Sequence, residues 1–139
     1  MKKLKPLILL ALVVFLWGSV AAADEKGGPA AIPGPTEVSQ AKFPLTVGGG
    51  EYDLMTTILE FPAGAGVGNH MHGGYVLVTV LSGEMTLHEK GTEKILKAGE
   101  SWTESPGNAH SVVNAGATPA RVAVSFLMPK GAQVTTMVK

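Results

Sequence analysis

The 139-residue chain has room for one compact domain, and its 11 basic residues balance 11 acidic ones. It has no basic run and no interleaved aromatics, which excludes a nucleic-acid surface. The absence of cysteine excludes disulfide staples, a cysteine lipid anchor and thiolate metal ligands, so any metal is held by histidine, carboxylate or solvent.

Residues 1–23 read as a secretory signal peptide. Lys2, Lys3 and Lys5 form the positive start, Leu7 to Val20 the apolar run, and Ala21-Ala22-Ala23 a small-residue cleavage site. The competing reading is a retained membrane anchor, since the apolar run is only slightly shorter than a spanning helix of roughly 20 residues. With cleavage the mature chain keeps 8 basic against 11 acidic residues, a net charge of about −3. The expected location is periplasmic or secreted, with membrane contact only through the signal peptide.

Residues 24–44, with Gly27, Gly28, Pro29, Pro33, Gly34 and Pro35 at their start, read as a linker or N-terminal segment leading to a domain over 45–138. Tyr52 to Phe61 is rich in β-branched and aromatic residues and stops at Pro62, which predicts a strand. A glycine-rich loop, Ala63 to Gly68, then leads to His70-Met71-His72. In a strand, residues i and i+2 share a face, so this spacing aims both imidazoles into one space; a helix would splay them about 200° apart.

After Gly73-Gly74 the run Tyr75 to Leu81 predicts a buried strand. Glu84 to Glu89 alternates polar and apolar, Lys90-Gly91-Thr92 turns, and Glu93 to Leu96 returns. Ser101 to Glu104 predicts a short strand, and the next segment places His110, Val112 and Asn114 on one face. Pro119 to Met128 and Val134 to Val138 complete the pattern. Short strands punctuated by turns, with no helix of three turns, predict an all-β barrel or double-sheet jelly roll. His88, on the alternate face from Met85 and Leu87, is expected in solvent.

At these residues the chain resembles the cupins, small jelly-roll barrels recognised by two motifs. Gly64, His70, His72 and Gly83 stand at positions of the first motif; Gly99, Gly107, His110 and Asn114 stand at positions of the second. Two positions depart from the pattern: Val76 replaces the metal-binding glutamate, and Ser105, beside Pro106, replaces a proline. The resemblance implies a cupin-type jelly-roll β-barrel that pairs as a homodimer, with His70, His72 and His110 as ligands to a divalent transition metal: Zn, Cu, Ni, Fe or Mn. Three-histidine sites exist in the cysteine dioxygenase branch of the family.

With no carboxylate in the ligand set the ion keeps its charge of +2, so its open positions favour anionic or bidentate oxygen ligands. Val76 makes the vacated corner apolar. Glu104 reads as a strand-end surface carboxylate, with a replacement ligand or general base as the alternative. Asn114 reads as orienting backbone or a ligand histidine. Tyr75, Trp102, Met55, Met71 and Phe126 read as core or as pocket lining. Gly64, Gly83, Gly99 and Gly107 read as turn glycines.

The leading expectation is an exported single-domain cupin, a metal-dependent oxygenase acting on a small organic substrate, with metal-assisted isomerisation or hydrolysis next. The alternatives are a non-catalytic cupin that binds a small ligand or metal, and a vestigial barrel serving as an interaction module.

Overall fold

The structure, a computed structural model, describes residues 31–139. The expected signal peptide and the first part of the expected linker lie outside the described residues. Among those described there is no helix. Ten strands form in chain order: β1 (Thr36–Val47), β2 (Gly50–Phe61), β3 (Gly66–Met71), β4 (Tyr75–Ser82), β5 (Glu84–Glu89), β6 (Thr92–Lys97), β7 (Ser101–Glu104), β8 (His110–Val113), β9 (Ala120–Pro129) and β10 (Thr136–Met137).

They make two five-stranded antiparallel sheets with the orders β1-β2-β9-β4-β7 and β10-β3-β8-β5-β6. The alternation in the sequence explains which side of each sheet is buried. On β4, Val76, Val78 and Val80 point inward while Tyr75 and Leu77 point out; on β9, Ala120, Val122, Val124, Phe126 and Met128 are buried. Met85, Leu87, Leu96 and Val112 close the core from the second sheet.

One expected boundary moves. Residues 36–44, expected within the linker, belong to β1, which pairs with β2 from Thr36 opposite Glu60 to Val47 opposite Gly50. Its residues are exposed almost throughout because it is a sheet edge with little covering either face. A strand in that position needs no apolar alternation; its ladder with β2 and the turn at Gly48-Gly49, both at positive φ, define it instead.

Two connections position the site. The Gly107 N–H donates to the carbonyl of His72 at 3.0 Å, joining the end of β3 to the loop before β8. The Asn114 N–H donates to Ala65 O, and the Gly64 N–H to Asn114 O, each at 2.8 Å. At Gly66 a Cβ would lie 2.5 Å from Val112 O, so only glycine lets β3 approach β8 this closely. Gly64, Gly83, Gly99 and Gly107 all adopt positive φ, as their turn positions require.

Candidate metal centre

His70 lies on β3, His72 one residue past its end, and His110 opens β8; His70 and His110 are directly paired across the β3–β8 ladder. A β-bulge between Val67 and His70 shifts the register just before this pair. All three imidazoles are buried, and their metal-competent nitrogens lie within 4.8 Å of one another. The ring centroids are 4.9 Å apart for His70 and His72, 4.3 Å for His70 and His110, and 5.4 Å for His72 and His110.

Each ring is oriented by the backbone. Nδ1 of His70 bonds to Gly68 O at 2.8 Å, that of His72 to Val134 O at 2.5 Å, and that of His110 to Asn108 O at 3.1 Å. A carbonyl can only accept, so every Nδ1 carries the proton and every neutral ring keeps its lone pair on Nε2. Three lone pairs made available in one small volume by outer hydrogen bonds are the arrangement that metal-ligating histidines use.

The structure corrects the expectation for Glu104. It is not a surface carboxylate: it is 6% exposed, with Oε1 3.0 Å from His110 Nε2 and Oε2 3.1 Å from His72 Nε2. The alternation on β7 turns Trp102 and Glu104 inward together, and the Trp102 indole N–H donates to Oε1 at 2.8 Å. Burial pushes the Glu104 carboxyl up, but His110 and His72 outweigh it and bring its pKa down to about 2. Burial lowers His110, and the Glu104 carboxylate more than offsets this, raising it above the usual imidazole value. His70 is lowered, chiefly by burial. Glu104 Oε2 and His110 Nε2 are buried without an aligned hydrogen-bond partner, so the site contains polar atoms that the protein itself leaves unsatisfied. A cation held by these donors would satisfy them, and the residues present fit a divalent transition metal.

His70, His72 and Glu104 open onto a cavity of about 100 Å³. Its other walls are apolar apart from Thr135, and include Phe61, Val78, Trp102, Val124 and Phe126. Of the aromatic and methionine candidates, Trp102 and Phe126 line it. Tyr75 is 64% exposed on the outer face of β4 and does not line this cavity. Met55 packs against the core, and Met71 is partly buried away from the cavity.

Val76 is buried, directly opposite Glu104 in the β4–β7 ladder, and is not on the cavity wall. Asn114 is fully buried but holds backbone instead of lining the pocket: its Nδ2 donates to Phe61 O, Pro62 O and Thr118 O, while its Oδ1 accepts from Gly116 N. His88 is exposed beside Glu93, as expected. Val134 and Thr135 were not legible as site residues in the sequence: a backbone carbonyl carries no side-chain signature, and Thr135 reaches the site only because β10 pairs with β3.

The model of the cupin domain family matches residues 57–127, half of the chain. The oxalate-binding protein of Thermotoga maritima is 34% identical over 61 residues, which cover 43% of this chain and 50% of that protein. The chain thus spans about half the length of the curated relative it matches. Among solved structures, a conserved protein with a double-stranded β-helix domain from Klebsiella pneumoniae superposes with a TM-score of 0.55 at 24% identity, covering 78% of this chain and 91% of that one. An RmlC-like cupin from Shewanella frigidimarina gives 0.51 at 24% identity, covering 65% and 86%. A predicted oxalate decarboxylase from Thermotoga maritima gives 0.51 at 22% identity, covering 69% and 93%. These likenesses establish the shared fold.

Proposed function

The chain belongs to the cupin family, and on that footing we propose that it binds one divalent transition metal through His70, His72 and His110 and offers the remaining positions to a small chelating organic acid. The observation that carries this proposal is the common orientation of the three imidazoles, each with Nδ1 engaged by a carbonyl and Nε2 left free for an ion. When bound, the ion supplies Lewis-acid charge for an oxyanion and, if redox-active, access to O₂ chemistry.

The protein supplies size and dryness. A cavity of about 100 Å³ holds a ligand of a few heavy atoms and excludes a large ring system. Its apolar walls keep water from competing for the open positions. The names oxalate-binding protein and predicted oxalate decarboxylase, both given to similar chains of Thermotoga maritima, support a short dicarboxylate, hydroxy acid or keto acid as the ligand class. Oxygenation, with O₂ as oxidant, is the first reaction assigned, because the walls carry no acid or base besides Glu104 and the histidines to shuttle protons for isomerisation or hydrolysis. The same scarcity favours a second reading, a binding protein that holds the acid without converting it.

The pattern of Lys2, Lys3, Lys5, the apolar run and Ala21-Ala22-Ala23 supports export to the periplasm or medium. A homodimer is part of the proposal, supported by an apolar row on the outer sheet face in which exposed Phe43 faces exposed Leu54, Leu54 faces half-buried Leu127 and Leu127 faces exposed Tyr75.

The deciding experiment loads the mature protein in turn with Fe, Mn, Ni, Cu and Zn and offers a panel of short organic acids. O₂ uptake with one metal and one acid, lost in His110→Ala, establishes the oxygenase. Saturable binding without O₂ uptake establishes the binding protein. Failure to retain any metal defeats both.

A further inference from the structure

We propose that Glu104 is a fourth metal ligand, supplied from β7 in place of the carboxylate that position 76 on β4 lacks. This rests on the metal-binding function proposed above and extends it. Val76 and Glu104 are directly opposed in the β4–β7 ladder, and both are buried. Side chains opposed in this way leave their strands about 5 Å apart on the same sheet face. A carboxylate on either strand therefore starts from the same patch of the sheet face, though the shorter Val76 stops short of the cavity wall.

The contact distances from Glu104 to His110 and His72 fit ligation. Two donors at right angles on one ion, each about 2.1 Å from it, are about 3.0 Å apart. Glu104 Oε1 and His110 Nε2 are 3.0 Å apart, and Glu104 Oε2 and His72 Nε2 are 3.1 Å apart. The carboxylate approaches the Nε2 atoms that must face an ion, not the Nδ1 atoms that a merely orienting carboxylate would hold. His110 Nε2 has no aligned hydrogen-bond partner despite its proximity to Oε1, which is the relation of two ligands side by side around a common centre. In the neutral tautomer both atoms are acceptors, and a cation between them removes their repulsion. Trp102 is a positioning residue: its indole N–H holds Oε1 at 2.8 Å and leaves Oε2 unpartnered.

Four protein ligands leave two open positions on a six-coordinate ion, enough for one bidentate acid or for two small molecules together. The site's charge also falls from +2 to +1, so a dianionic ligand is held less tightly than a three-histidine centre would hold it.

The test uses Co(II), whose visible absorption reports its ligands, on wild-type protein, E104Q, a variant exchanging the two side chains (V76E/E104V), and H70A/H72A. Affinity is measured by competition with a chelator, and folding by circular dichroism. Ligation by Glu104 weakens Co(II) binding in E104Q by more than about 100-fold, beyond the loss expected for an outer orienting partner, and shifts its absorption bands; the exchange variant recovers most of the affinity. E104Q binding within about tenfold of wild type with unchanged bands overturns the proposal while leaving a three-histidine centre intact. No Co(II) binding by wild type overturns both. Should E104Q fail to fold, E104D decides: moved bands support a carboxylate bonded to the ion, and unchanged bands refute it.

Discussion

The Nδ1–H of His72 donates to the carbonyl of Val134, 62 residues further along the chain and just ahead of β10. β10 pairs with the end of β3, Thr136 opposite Met71 and Met137 opposite His70. The last few residues are thus the outer support of one candidate ligand. Ending the chain at Gln133, which preserves the Gly73 bond to Gln133 O, is expected to weaken metal binding by about 10- to 100-fold while the circular dichroism spectrum stays β-rich. Calorimetric titration of metal into the truncated protein checks this; unchanged affinity would show that His72 is oriented by other means.

The metal-free protein is expected to be most stable near pH 6.5, falling on both sides. His110 is raised in the fold, so its contribution is complete below the unfolded value and is lost as pH rises through the raised one. His70 is lowered, so the unfolded chain takes up its proton first and stability declines as pH falls below 6.5. Glu104, lowered to about 2, adds a further loss as pH drops from its unfolded value near 4.5. Melting temperatures measured in chelator across about pH 4 to 9 should trace this bell. In E104Q the alkaline decline should flatten, because the Glu104 carboxylate, the largest influence raising His110, is then gone.

Asn114→Ala is expected to cost about 3 kcal/mol. The side chain is fully buried and bonds Phe61 O, Thr118 O and Gly116 N–H, besides Pro62 O, which keeps the Ala65 N–H; orphaned buried groups cost about 1–3 kcal/mol each before relaxation. Urea unfolding with an unchanged m-value measures the loss. Metal affinity of the folded variant should be nearly unaffected, since Asn114 touches no candidate ligand. A large drop in affinity would instead place Asn114 in the site's support.

Chelation is expected to lower the melting temperature without unfolding the protein. The core of Val76, Val78, Val80, Met85, Leu96, Val122 and Phe126 is buried without reference to the ion, so apolar burial survives its removal. Metal restores stability by mass action, about 2.7 kcal/mol at a hundredfold excess over Kd. Loss of the β-sheet signal on chelation would show instead that the fold depends on the metal.

Much of this was legible in the sequence because it follows from local periodicity. The alternation of Val76, Val78 and Val80 with outward neighbours marks β4, and a spacing of two residues puts His70 and His72 on one face whatever the rest of the chain does. Turn glycines at 64, 83, 99 and 107 are local requirements of backbone geometry. Such features are carried by a few consecutive residues, so they can be read without knowing what lies beside them.

Only the tertiary structure decided the rest, because it depends on which strand lies next to which and in what register. β1 was obscured because an edge strand exposed on both faces needs no apolar pattern and is defined by its ladder with β2. Glu104 looked like a surface acid among Thr103 and Ser105 until the β4–β7 register set it opposite Val76 and turned it toward His72 and His110. The carbonyl of Val134 has no signature at all in residue types. The three histidines could be chosen from sequence; the carboxylate beside them and the backbone that aims them came from strand pairing, a long-range property that no single segment contains.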